Sequence, residues 1–166
     1  MAETTFPRLD ITETWSHLND NLIKLVDYVP ENKINWSPKP ELWNFRGILL
    51  HVAASRDGWM GGEVRDGDPA PSVYQTTRSK PQIQREFRRT WERVLRFLSD
   101  PAKLDKTYDR TWAAGETDRF TGHWIAFHLL EHDIHHRANI MDYLALLGIE
   151  TPEVGTVSPG WLDVRG

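Results

Sequence analysis

Between Phe127 and Arg137 the chain reads FHLLEHDIHHR, placing four of its seven histidines in one short stretch. Histidine is an indifferent helix former and seldom fills a core in number, so the cluster asks for a chemical reason. Successive helical residues turn by about 100°. On that count His128, His132, His135 and His136 share a sector roughly 100° wide, and His123 points away. His132 and His136, at i and i+4, stack two imidazoles about 5–6 Å apart at Cβ. That is how one helix offers two nitrogens to one metal ion. A third ligand must come from another element. His51 is the best placed, with His17 in reserve. The competing reading has no metal, with the histidines packed or hydrogen-bonded in the core.

Other chemistry fits less well. The helix reads H-L-L-E-H, so it is no H-E-x-x-H metalloprotease helix, and no Glu is followed three residues later by His as di-iron bundles require. Gly-rich phosphate loops and G-x-S-x-G elbows are absent. The chain has no cysteine, which excludes disulfides, catalytic thiols and Cys-ligated metals. Thiol chemistry would have to bring its thiol with the substrate. A net charge of -4 and no Lys/Arg block argue against nucleic acid as partner. The opening MAETTFPRLD lacks the basic start and apolar stretch of a signal peptide. No apolar run approaches the roughly 20 residues a membrane span needs, so a cytoplasmic protein without membrane contact is expected.

The elements that must position the histidines follow from periodicity. Trp15, Leu18, Leu22, Leu25 and Val29 form one apolar stripe after Asp10, a possible N-cap, and Pro30 ends it. The proline-rich NWSPKPELWN is a connector, and Asn44 can cap a second helix from Phe45 to about Trp59, with His51 at the edge of its apolar face. Residues from Gly61 to Arg78 read as a long loop. Ser79 and Gln82 have capping-box spacing before the stripe Ile83, Phe87, Trp91, Val94 and Leu98. Residues 105–119 look irregular, with short extended pieces at most. The last helix runs from about Thr121 to Leu147, stopped by Gly148. With 166 residues the chain suits a single domain over 1–166, its core over about 10–150 and its tail over 151–166. Four amphipathic helices without a convincing strand pair predict an all-α four-helix bundle, whose sites form where side chains on facing helices converge. The eight tryptophans suit a helical core, with one or two left for a pocket or an apolar dimer face.

Two stretches carry a family resemblance. WSPKPELWNFRGILLHVAASRDGW resembles the Trp-x-Pro connector, helix start and first metal histidine of the DinB/YfiT-like metalloproteins, with Trp59 eight residues after that histidine. HLLEHDIHHRANI is similar to their His-x3-His-x3-His-Arg pattern, and YLALLGIETP to their usual exit. The likeness covers about residues 10–152. Where the family often has His-Arg-Gly-Gln, this chain has His136-Arg137-Ala138-Asn139.

The resemblance implies an up-down-down-up bundle with a long loop after the second helix. It implies His51, His132 and His136 as ligands to one divalent ion, a homodimer packed along helices, and a place among stress-response proteins. Zinc is the first expectation for the ion, since imidazole suits it, and nickel or iron fits the same ligands. Three neutral imidazoles leave the ion its full charge and an open position, so it can activate a thiol or a water. The expected function is therefore a metal-dependent transferase using a low-molecular-weight thiol. The alternatives are a metal-dependent hydrolase and a non-catalytic protein that binds metal or a small ligand. His128 and His135 are candidates for orienting a ligand or acting as general base. Arg137 is a candidate for a substrate carboxylate, Trp59 for a pocket wall, and Asp57 with Arg56 for the rim of the mouth.

Overall fold

The computed structural model describes residues 11–65, 67 and 70–154. The expected N-cap Asp10, and Trp161 in the tail, lie outside these residues. Helix α1, Ile11–Tyr28, buries Trp15, Leu18, Leu22 and Leu25, the stripe that the spacing predicts. Pro30 then takes an extended backbone. The connector folds back on the start of α2, Phe45–Asp57: the Phe45 N–H donates to Trp36 O (3.2 Å) and the Arg46 N–H to Ile34 O (2.9 Å). Asn44 Oδ1 accepts from the Gly47 N–H at 2.7 Å, so the donors a helix start leaves unpaired are met by the chain itself.

The expected loop after α2 has more structure than its composition suggests. It begins with a π-helical turn, Gly58–Glu63, and contains the single-turn helix α3, Val73–Thr76. Helix α4, Lys80–Leu98, opens on the expected box, with Gln82 Oε1 accepting from the Ser79 N–H at 2.9 Å. A five-residue helix α5, Pro101–Asp105, follows, capped by Asp100. Strands β1, Thr107–Thr111, and β2, Thr117–Thr121, then pair antiparallel, with Tyr108 opposite Phe120. This pair corrects the expectation of no strand pairing. In TYDRT and TDRFT only Tyr108 is buried and Arg110 and Phe120 half-buried, so the alternation that marks a strand is nearly silent. Helix α6, Gly122–Leu146, ends in a Schellman motif: Gly148 has φ 72°, and the Ile149 N–H reaches Leu144 O at 2.9 Å.

Helix α1 packs on α4 and α6, and α2 packs on the same two, so α1 and α2 face each other across the diagonal. Directions follow from the contacts. Lys80 Nζ donates to Asp27 O (3.1 Å) while Trp15 meets Trp91 (5.3 Å between rings), so α1 and α4 are antiparallel. Arg46 bonds the backbone at Arg78 and Asp57 pairs with Arg89, so α2 and α4 are parallel. Phe45 packs on Tyr143 (5.6 Å) and Arg56 on Asp133, so α2 and α6 are antiparallel. The course is up-down-down-up.

One polar network sits inside this apolar frame. Asp133 Oδ2 accepts from Trp15 Nε1 (2.7 Å), Arg56 Nε (3.0 Å) and Arg56 Nη2 (2.7 Å), and Arg56 Nη1 donates to Asn19 Oδ1 (2.8 Å). Arg56 and Asp133 are both 0 % exposed, so Arg56 lies in the core and not at the rim where the sequence places it. Its guanidinium also packs against the rings of Phe87 (5.9 Å) and Trp91 (5.8 Å). Burial pushes the Asp133 carboxyl up, but Arg56 and the donors around it outweigh that and hold it below the usual carboxylate range.

Two outcomes follow. Replacing Asp133 by Leu strands a buried cation and should cost about 3–5 kcal/mol in urea denaturation, whereas Arg56→Met/Asp133→Leu should recover most of that loss. At the start of α6, a Cβ on Gly122 would stand 2.3 Å from Lys103 O and 2.7 Å from Leu104 Cα. Backbone cannot step aside as a side chain can, so Gly122→Ala should lose about 1–3 kcal/mol in the same measurement.

Candidate metal centre

His51 projects from α2, and His132 and His136 project from successive turns of α6. The antiparallel contact brings them together, with ring centroids 4.7 Å apart for His51 and His132, 5.0 Å for His51 and His136, and 4.4 Å for His132 and His136. One nitrogen from each ring lies within 4.8 Å of the other two. Nitrogens sharing one zinc sit within about 4 Å of each other, so side-chain torsions need only tighten the trio. His132 Nδ1 and His136 Nδ1 are buried without a hydrogen-bond partner, a costly arrangement unless something else takes their place. The three residues fit a divalent ion.

Burial, then the charge His132 would carry, push His51 down to about 4. Burial first, then His132, His51 and His135, push His136 down to about 4 as well. Both rings are therefore neutral at pH 7, with lone pairs free for a ligand. The nearest carboxylate oxygen is Asp133 Oδ1, 3.7 Å from His132 Nδ1. That is too long for a hydrogen bond.

Three further side chains surround the trio without having been singled out in the sequence. Ser55 Oγ lies 3.1 Å from His132 Nε2. The Tyr74 hydroxyl, on α3, lies 3.4 Å from His51 Nδ1. Trp43 sets its edge against His51 (4.4 Å between rings) and runs parallel to His136 (6.3 Å, 3°). Ser55 follows His51 by four residues and is legible from that spacing. Tyr74 carries no local signal, since only the path of the loop brings it here.

The remaining sequence candidates separate. His128 is half-buried, stacked on Trp124 (4.9 Å, 7°) with its ring 6.2 Å from that of His132. Burial first, then nearby positive charge, lowers its pKa. His135 is exposed and touches His136 at 5.0 Å. His17 is exposed on α1, and His123 faces Asp105 (3.1 Å). Trp59 is buried beneath His128, Trp124 and Phe120, with Arg110 over its ring at 4.4 Å. It supports His128 and is not an open pocket wall. Asp57 pairs with Arg89 and Arg93 of α4 (3.0 Å to each from Oδ1). Arg137 follows His136 by one residue, so it points about 100° away from it. Its Nε and Nη1 are buried and unpartnered.

The fold and the cluster together define a class: an up-down-down-up helical bundle with a three-histidine candidate metal centre between two antiparallel helices. The chain belongs to the DinB superfamily, whose family model matches residues 14–140. A DinB-like protein of Bacillus subtilis, YjoA, superposes with a TM-score of 0.68 at 16% identity, over 88% of this chain and 97% of that one. A DinB-family protein of Exiguobacterium sibiricum 255-15 gives 0.64 at 17% identity, over 87% and 99%. At such identities these likenesses speak for the fold alone. No curated protein matches the chain. No helix among the described residues is long and apolar enough to cross a membrane.

Elemental analysis of the chain purified without a His tag should find about one equivalent of a divalent transition metal, retained through dialysis and lost in His132→Ala. Equal metal in the variant would place the ion elsewhere.

Proposed function

We propose that this protein is a divalent-metal-dependent transferase that uses a low-molecular-weight thiol. The observation that carries the reading is a donor set of three imidazoles with no carboxylate or protein thiol among them. Structural zinc sites are normally closed by four protein ligands, whereas three leave a position for a reactant. A divalent ion there, zinc by preference and nickel or iron by the same ligands, supplies the Lewis acidity that lowers the pKa of a thiol or water.

The side chains around the trio have matching roles. His51, His132 and His136 offer the nitrogens, and Tyr74 and Ser55 hold two of the rings by hydrogen bonds. His128, its pKa lowered by burial and its ring stacked on Trp124, is the first candidate to accept the proton that the thiol would give up. His135, exposed at the edge of the cluster, is the second candidate for that task. Because the chain has no cysteine, the sulfur nucleophile arrives as a co-substrate and no internal thiol competes for the ion. Exposed Phe127 and Ile134 share an outer face of α6, which supports the homodimer that the resemblance implies.

The test is turnover. Zinc- or nickel-loaded protein, given cysteine or glutathione and the electrophile 1-chloro-2,4-dinitrobenzene, should consume thiol above background. His132→Ala should abolish that rate. His128→Ala should lower it about 100-fold or more while keeping its metal. Ester cleavage without thiol consumption would make the protein a hydrolase, and bound metal with neither activity would make it a binding protein.

A further inference from the structure

A cavity of about 420 Å³ opens one helical turn before His51, lined by Leu42, Trp43, Asn44, Gly47 and Tyr74. None of these side chains is charged. Trp43, Leu42 and Tyr74 are 50 %, 46 % and 45 % exposed, so three large apolar surfaces stand side by side in solvent. Contiguous exposure of this kind marks an interaction site more often than an accident of folding. The backbone N–H groups at the helix start are already engaged. Asn44 Oδ1 caps α2 through the Gly47 N–H, and the Phe45 and Arg46 N–H groups are bound by Trp36 O and Ile34 O. The helix start therefore offers an anion no free backbone donor.

Two walls of the cavity also touch the candidate ligand His51. The Trp43 ring meets it edge-on at 4.4 Å, and the Tyr74 hydroxyl lies 3.4 Å from its Nδ1. Anything seated between Trp43 and Tyr74 thus ends at the histidine cluster. Gly47 keeps the floor open: a Cβ there would already lie 3.2 Å from Asn44 Oδ1 and 3.7 Å from Trp43 Cβ.

We propose that this cavity binds an uncharged aromatic group of the substrate, laid between Trp43 and Tyr74 with its reactive substituent turned toward His51. The proposal rests on the metal-site reading above and names the class of substrate for that site. An aromatic group suits the cavity because both flanking side chains offer ring faces and edges, which favour offset or edge-on partners. A charged group would find no charged partner among the lining side chains. The volume falls in the usual range of small-molecule pockets, about 300–1,000 Å³.

The test compares benzohydroxamic acid with acetohydroxamic acid, two chelators that differ in a phenyl against a methyl group. On zinc-loaded full-length protein, calorimetry should find the benzo compound about tenfold tighter or more, as burial of a phenyl group implies. Leu42→Asp should bring the two within about threefold while zinc content stays at the wild-type level. Equal affinities in the wild type, or a preference that survives in Leu42→Asp, would overturn the proposal. A second arm needs no metal: benzyl alcohol added to metal-free ¹⁵N-labelled protein should shift the Trp43 indole and Gly47 amide resonances, and not in Leu42→Asp. If zinc fails to bind, the metal reading falls and this arm alone decides the cavity. Absence of shifts at Trp43 and Gly47 would then refute it.

Discussion

The arrangement depends on a single buried contact, the pairing of Arg56 with Asp133. Both groups are removed from water at a cost of several kcal/mol each, which only close geometry and further hydrogen bonds offset. Asp133 Oδ2 gathers three donors, and the other end of Arg56 reaches Asn19 and the Phe87 carbonyl. The network thereby touches all four long helices. A pair of this kind tolerates no slippage, because sliding α2 along α6 by one residue would leave both charges buried and alone. Apolar surfaces alone accept small shifts more readily, since side chains of similar size can exchange places in a core.

That register is what builds the histidine cluster. In antiparallel helices each step along α2 is matched by a step back along α6. Beside the Arg56–Asp133 contact Ser55 meets His132, and four residues back along α2 and four forward along α6 His51 meets His136, an alignment that runs on to Phe45 against Tyr143. The ion pair lies toward the bundle axis and the imidazoles on the side where α2 and α6 meet solvent. A residue that the spacing suggests as a rim charge is thus the clamp that positions the histidine cluster.

The legible part of this protein is the part written in local repeats. Apolar stripes at three- and four-residue steps mark the four long helices, and Asn44, Ser79, Gln82 and Gly148 mark their ends, because caps act through residues adjacent in sequence. His132 and His136 share a helix, so their partnership could be counted out on a wheel. His51 could be nominated from its place at the edge of the apolar face of α2, but its meeting with them is fixed only by the fold, since nothing local links α2 to α6. The same limit hid Tyr74, which reaches His51 from a short helix inside an apparently structureless loop, and the strand pair, whose polar faces carry too little alternation. Arg56 leaves the rim for the core for a related reason. Adjacent charges on a helix point about 100° apart, and sequence does not say which of them faces the core.

The ion pair also bears on the chemistry available at the cluster. A carboxylate beside metal-ligating imidazoles would normally pass negative charge toward an ion and weaken its pull on a reactant. Here the nearest one, Asp133, is neutralised by Arg56, and its free oxygen stands 3.7 Å from His132 Nδ1, beyond hydrogen-bond reach. Glu131, the other acid on this part of α6, is exposed on its outer surface. The protein thus brings three imidazole nitrogens and almost no compensating negative charge to the site. A divalent ion bound by these residues would keep most of its double charge. The core that fixes the register of the helices therefore also sets the electrostatics of the site, by consuming the one carboxylate that would have blunted it.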